Sequence, residues 1–222
     1  MSRPIAVLRP EPGNRVTASA IEAAGRVALR LPLFTARPVP WTAPDAAGFD
    51  ALLLTSANAV RHGGPALDAL LGLPVHAVGH VTAEAARRIG FRIAHIGEAG
   101  AAELVAAAEA AGVTRALLLG GRERMLEAGG VVAQAITVYA SEALEIEPDQ
   151  AVRLRGTVVL VQSPRAGARL AELVAPDHRA ITSIAAISAR AAEAAGAGWR
   201  RIEIARDRRP DTLIELALQL AD

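Results

Sequence analysis

Short apolar runs recur along this chain, and most lead through small residues into an alanine-rich helical segment. They are IAVL (5–8), ALLL (51–54), VHAV (75–78), RIAHI (92–96), RALLL (115–119), TVVLV (157–161), ITSIAAI (181–187) and RIEIA (201–205). Several are unbroken rather than alternating, the pattern of strands whose two faces are both covered. Between them, AAELVAAAEAAG sets Ala101, Leu104, Val105 and Ala108 on one helical face and stops at Gly112. DTLIELALQL does the same with Leu213, Leu216, Ala217 and Leu220. VTAEAARRIG and ISARAAEAAG end in Gly90 and Gly196. Such alternation is the signature of an α/β fold built on parallel sheet.

Two stretches break the rhythm. LRLPLFTARPVPW (29–41) is extended and punctuated by prolines, which confine it to an edge or a linker. VAQAITVYASEALEI (132–146) alternates with β-branched residues and then turns charged. Both read as antiparallel crossover strands between two lobes. An internal repeat supports two lobes: LLLTSANAV matches VVLVQSPRAG, and AVGHVTAEAARRIG (77–90) matches SIAAISARAAEAAG (183–196), both at an offset of about 106 residues. Chance similarity among alanines is the alternative.

Absences narrow the chemistry. There is no cysteine, so no thiolate nucleophile, disulfide or cysteine-ligated metal. No lysine is present either, which removes Schiff-base chemistry, a pyridoxal-phosphate site and a Walker A lysine. The formal charge of +1 speaks against nucleic acid as a partner. No apolar run approaches the roughly 20 residues of a membrane helix. The start, MSRPIAVLRPEPG, lacks the apolar segment of a signal peptide and reads as a strand, so a cytoplasmic protein is expected. His76 and His80 straddle a strand end rather than sharing a helical face, so no metal site is expected there.

In parallel α/β sheets ligands bind where strands end and helices begin. The junctions here carry Thr55, Ser56 and Asn58; Gly79, His80 and Thr82; Gly120 and Gly121; Ser163 and Arg165; and Ser188. One reading is helix capping, which needs no ligand. The sharper reading is that both lobes present free backbone N–H groups to a ligand with several anionic groups.

LLLTSANAVR, VHAVGHVTAEAARRIG, LLLGG, ITVYASE and VQSPRAG, in this order, resemble uroporphyrinogen-III synthases over nearly the whole chain. The opening LRP and the closing ARDRRPDTLIELAL resemble that family's ends. The resemblance implies two flavodoxin-like parallel-sheet lobes joined by a two-stranded antiparallel hinge, with a cleft between the lobes. Domain 1 is then 1–34 plus 146–222, domain 2 is 38–135, and 35–37 with 136–145 form the hinge. It also implies the reaction. Hydroxymethylbilane, a linear tetrapyrrole with eight carboxylates, loses water and closes to uroporphyrinogen III with ring D inverted. The family needs no metal or organic cofactor. A monomer is expected, in transient contact with the upstream deaminase.

The bilane also closes unaided, without inversion, so the protein's main task is to hold it with the substituted carbon of ring D in reach. Backbone N–H groups and arginines would grip the acid arms. The substrate-binding candidates are Arg9, Thr55, Ser56, Asn58, Gly79, His80, Thr82, Gly121, Ser163, Arg165 and Ser188. Tyr139, the sole tyrosine, stands where the resemblance places the family's tyrosine. A phenol of ordinary acidity stays protonated at neutral pH and can assist departure of the hydroxyl; packing of the hinge is the other reading. Several positions depart from the family pattern. Gly120-Gly121 stands where Arg-Gly is common, and Ala185-Ala186 where Gly-Pro is common. The segment from Gly121 to Tyr139 is short, and Gly63-Gly64-Pro65 should break a helix. These leave open a non-catalytic homologue that binds tetrapyrroles or other anions. A periplasmic-type binding protein and a flavodoxin-type cofactor binder are the competing classes. The absent signal peptide opposes the first, and the absent GxGxxG loop and scarce aromatics oppose the second.

Overall fold

The computed structural model describes residues 2–98, 100–124 and 126–222. The chain runs β1 (Ile5–Val7), α1 (Gly13–Ala23), β2 (Ala28–Arg30), β3 (Phe34–Pro38), β4 (Ala51–Leu54), α2 (Ala57–Gly63), β5 (Val75–Val78), α3 (His80–Arg88), β6 (Ile93–Gly97) and α4 (Ala101–Ala110). It continues through β7 (Ala116–Gly121), β8 (Val132–Ala143), α5 (Pro148–Val152), β9 (Val158–Val161), α6 (Pro164–Leu173), α7 (Pro176–Arg179), β10 (Ser183–Ala186), α8 (Ala189–Ala194), β11 (Arg201–Ile204) and α9 (Pro210–Ala221). It divides into two compact units. Unit 1 is Met1–Thr35 with Ala143–Asp222, and unit 2 is Ala36–Glu142.

Unit 1 holds a parallel sheet in the order β11-β10-β9-β1-β2. Numbered within the unit, this is the flavodoxin order 2-1-3-4-5. In unit 2 the order is β3-β8-β7-β4-β5-β6. Its strands from β4 to β8 pair in parallel and lie 3-2-1-4-5, the other doubly wound order. The proline-bearing β3 takes the edge beside β8 and runs antiparallel to it: Leu144 N donates to Leu33 O (2.9 Å) and Val39 N to Val138 O (3.0 Å). The two orders are one arrangement permuted. β9-β10-β11 and β4-β5-β6 are each three consecutive strands laid side by side, with two more beside the first. Those two come before the trio in unit 1 and after it in unit 2. The internal repeat thus corresponds to β9 answering β4 and β10 answering β5. Its spacing is not constant, because Ser56 and Ser163 cap their helices at one offset while Gly79 and Ser188 precede theirs at a slightly larger one.

Unbroken apolar strands behave as their sequence requires. Ala6, Leu8, Val159 and Ile184 enter a core with Leu170 of α6 and Ala191 of α8. Their alternates Ile5, Val7, Val158 and Ala185 enter a second core with Ile21 of α1 and Leu213 of α9. In unit 2, Leu52, Leu54 and Leu117 pack on one face, and Leu53, Leu118 and Leu104 on the other. Each fully buried leucine contributes about 1.5–3 kcal/mol. The expected break after α2 is present: Gly64 adopts φ 65°, which side chains resist, and a 3₁₀ segment (Gly64–Leu70) follows.

Helices α6 and α8 meet at Gly167. A Cβ there would lie 2.6 Å from Ala191 O and 3.0 Å from Ala195 N, both backbone atoms that cannot swing aside. Gly167→Ala is expected to cost about 1–3 kcal/mol in urea unfolding; an unchanged midpoint would show that the two helices re-space freely.

His76 of β5 faces His95 of β6, with ring centroids 5.9 Å apart, and is buried at 3% exposure. Burial, and secondarily His95, holds its pKa below the ordinary 6.5. The unfolded chain therefore takes up a proton near pH 6.5 that the folded chain refuses. The associated stability is complete above that value and is lost as pH falls toward the lowered folded pKa. The urea midpoint should drop between about pH 7.5 and about pH 5.5, and His76→Gln should flatten the drop. An unaltered slope would assign it instead to His62, whose pKa is also lowered from 6.5 by burial and then by Arg61.

Candidate functional site

Each sheet has one point at which successive strands depart to opposite sides, and ligands bind outside the carboxyl ends of strands there. In unit 2 that point lies between β4 and β7. A cavity of about 440 Å³ opens at it, lined by Thr55, Ser56 and Asn58 from the β4–α2 junction and by Gly121 at the end of β7. Tyr139 and Ser141, two apart on β8 and therefore on one face, complete that wall. Glu123 and Arg124 from the loop after β7 add the charged groups.

Close contact with backbone holds Tyr139. Gly121 pairs with Tyr139 across the sheet, after an irregularity between Gly120 and Gly121. Arg122 N donates to Tyr139 O at 2.9 Å. A Cβ on Gly121 would stand 2.7 Å from Tyr139 Cζ and 3.0 Å from its hydroxyl oxygen, so the phenol lies directly against the glycine. The His62 ring of α2 is 6.1 Å away, centroid to centroid. Burial and then Arg61 lower the His62 pKa, which keeps that imidazole neutral at pH 7. Some junction polarity is spent on capping: Ser56 Oγ accepts from Asn58 N (3.2 Å), and Asn58 Oδ1 accepts from Arg61 Nη1 (3.2 Å).

In unit 1 the corresponding point lies between β1 and β9. A cavity of about 330 Å³ there is lined by Arg9 after β1, Gln162 and Ser163 after β9, Phe34, and Arg208 ahead of α9. The fully buried Asn14 shapes the β1–α1 turn, its amide donating to Val7 O (2.8 Å) and Arg9 O (3.0 Å) while its oxygen accepts from Arg30 Nε (3.0 Å). Arg9 lies over Gly13, and burial lowers its pKa without removing its charge at neutral pH. Among the described residues lining this cavity, the charged ones are two arginines, with no carboxylate. Ser163 Oγ accepts from Ala166 N at 3.1 Å, so this hydroxyl caps α6.

Of the residues singled out by sequence, Thr55, Ser56, Asn58, Gly121 and Tyr139 meet at the first cavity, and Arg9 and Ser163 at the second. Gly79, His80, Thr82, Arg165 and Ser188 line neither. Helix phase explains most of these. Thr82 is 4% exposed within the first turn of α3. His80, at the head of the same helix, lines a separate depression with Arg61 and Arg88. The Ser188 hydroxyl caps α8, accepting from Ala191 N (3.3 Å). Arg165 lies over the Phe34 ring, 4.4 Å from its centroid, and so stands one contact behind the cavity. Sequence reading passed over Ser141, which the two-residue strand period from Tyr139 would have found. It also passed over Arg124, Gln162 and Arg208, whose loop positions give no periodic signal. Among the described residues no group of three or more His, Asp or Glu is placed to hold a metal ion, and no helix is long and apolar enough to cross a membrane.

Parallel α/β units with cavities at their switch points define a doubly wound protein of the small-molecule-binding kind. The family model for uroporphyrinogen-III synthase HemD matches residues 15–215, and the chain belongs to that family. Its members are cyclising lyases of porphyrin and heme biosynthesis that act on a tetrapyrrole, and this chain carries that activity: closure of hydroxymethylbilane to uroporphyrinogen III with loss of water. Among solved structures, uroporphyrinogen-III synthetase from Helicobacter pylori is similar at 18% identity and a TM-score of 0.66, covering 99% of this chain and 100% of that one. This likeness shows the fold. A Thermus thermophilus uroporphyrinogen III synthase matches at 18% identity and a TM-score of 0.41, covering 99% and 97%. No individually curated protein matches the chain.

Proposed function

We propose that the cavity at the β4–β7 switch point is where ring closure is assisted, with Tyr139 as the proton donor. One observation carries this: the phenol, held against Gly121, shares a cavity with the hydroxyls and amide of Thr55, Ser56 and Asn58. Tyr139 donates its proton to the departing hydroxyl of ring A, so the carbon–oxygen bond breaks with water as the product, leaving an azafulvenium cation and the phenolate. Ring D attacks that carbon through its substituted position and gives a spiro intermediate; the bond from that position to the ring C methylene then breaks, and the methylene re-bonds to the unsubstituted α-carbon of ring D, which inverts the ring. The proton released as the last pyrrole regains aromaticity restores the phenol. Within unit 1, Arg9 and Arg208 are the charged ones among the described residues lining the β1–β9 cavity, a charge suited to carboxylate groups. In this reading the chain acts as a monomer and takes the bilane in transient contact with the upstream deaminase, which limits unaided closure.

The test is a coupled assay. The upstream deaminase generates hydroxymethylbilane in place, this protein is added, and the oxidised products are separated by chromatography. Isomer III should rise over isomer I. Tyr139→Phe should form isomer III far more slowly in the same assay, and a wild-type rate from the folded variant would overturn the reading.

A further inference from the structure

We propose that Arg124, which lines the same cavity as Tyr139, holds a carboxylate arm of the substrate, and that Glu127 occupies that place in the free protein. The inference rests on the first cavity being the substrate site. Arg124 is the one cationic side chain among the described residues lining it. Its guanidinium is fixed on one side and incompletely paired on the other. Nη1 donates to Thr137 Oγ1 at 2.6 Å and to Gly121 O at 3.3 Å, which commits both of its hydrogens to β7 and β8. Nη2 donates to Glu127 Oε2 at 2.8 Å, and Nε is buried with no hydrogen-bond partner.

Nε–H and one Nη2–H point the same way and form the fork that a carboxylate takes with both oxygens. In Arg124 one prong meets a glutamate whose side chain is 65% exposed, and the other has no hydrogen-bond partner among the described residues. A pair three residues apart with one partner mostly in water is weak. An incoming carboxylate that displaces Glu127 gains the second hydrogen bond, which Glu127 does not make. Gly120 provides the room: a Cβ there would lie 3.2 Å from Arg124 Cδ, so the arginine stem lies across a strand end free of a side chain. Arg124 and Tyr139 both contact Gly121 and line one cavity, so a carboxylate held by Arg124 binds at the rim of the cavity that contains the phenol.

Full-length wild type, Arg124→Lys and Glu127→Gln are compared in two measurements: steady-state formation of isomer III, and equilibrium binding of uroporphyrin III followed by its fluorescence. Lysine keeps the charge and loses the fork. Arg124→Lys should raise KM and weaken uroporphyrin binding by about tenfold or more, with kcat within about threefold of wild type. Glu127→Gln should lower KM and tighten binding, an effect that a structural ion pair would not produce. Binding within twofold of wild type for both variants overturns the assignment. Should Arg124→Lys fail to fold, Glu127→Gln decides alone: tighter binding supports the assignment, and unchanged or weaker binding overturns it. Fluorescence binding needs no turnover, so a wild type that binds uroporphyrin through Arg124 but makes no isomer III would sink the proposed catalytic role of the cavity and leave this assignment standing.

Discussion

Tyr139→Phe should slow uroporphyrinogen III formation by about 10²–10⁴-fold, the usual contribution of a well-placed general acid. The change removes one oxygen and leaves the ring, so the contact with Gly121 and the neighbouring His62 ring persist and the melting temperature should stay near wild type. The proposed division of labour predicts a second effect. Proton donation speeds departure of the hydroxyl, whereas inversion depends on how the bilane is held. The residual product of Tyr139→Phe should therefore remain enriched in isomer III over the unaided mixture even as the rate collapses. Initial rates and isomer ratios from the same coupled assay separate the two effects. An unchanged rate would reduce Tyr139 to a packing residue of β8. A collapsed rate with a product of isomer I alone would instead make the phenol part of the grip on the substrate.

The strands were legible because their chemistry is local. A run such as Leu52-Leu53-Leu54 sends alternate side chains to two cores, and an unbroken apolar run is the only way to cover both. The small-residue junctions were legible for the same reason, since caps and strand ends are set within a few residues. The strand order was not. Nothing local in β7 or β8 says that these strands follow their trio in unit 2 where β1 and β2 precede theirs in unit 1. Parallel neighbours are chosen by long-range packing, and an apolar strand fits several of them. The candidate site shows the same limit. His80 and Thr82 follow a strand end but line neither switch-point cavity, because their directions depend on the phase of α3 against the sheet. Arg124 was invisible because its role depends on Gly120 leaving space and on Thr137 lying on the neighbouring strand.

Gly121→Ala tests whether the phenol is placed by that glycine. Gly121 does not have positive φ, so backbone strain does not require a glycine here. Space does: the added methyl would sit 2.7 Å from Tyr139 Cζ, far inside van der Waals contact. Strand β7 is buried along its length and its pairing with β8 is fixed by the ladder, so the ring must yield. Overpacking of this kind costs about 1–3 kcal/mol. Activity should fall about as far as in Tyr139→Phe, because a displaced hydroxyl is as ineffective as a missing one. Lost stability alone can mimic lost activity, so a double-mutant cycle is needed. In a Tyr139→Ala background the methyl at position 121 has no ring to meet, and Gly121→Ala should then be nearly neutral in urea unfolding. A coupling of about 1–3 kcal/mol would identify the ring as what the glycine accommodates. Additive costs would mean that the methyl strains something else, and the placement of Tyr139 would then rest on the β8 backbone and the His62 ring rather than on Gly121.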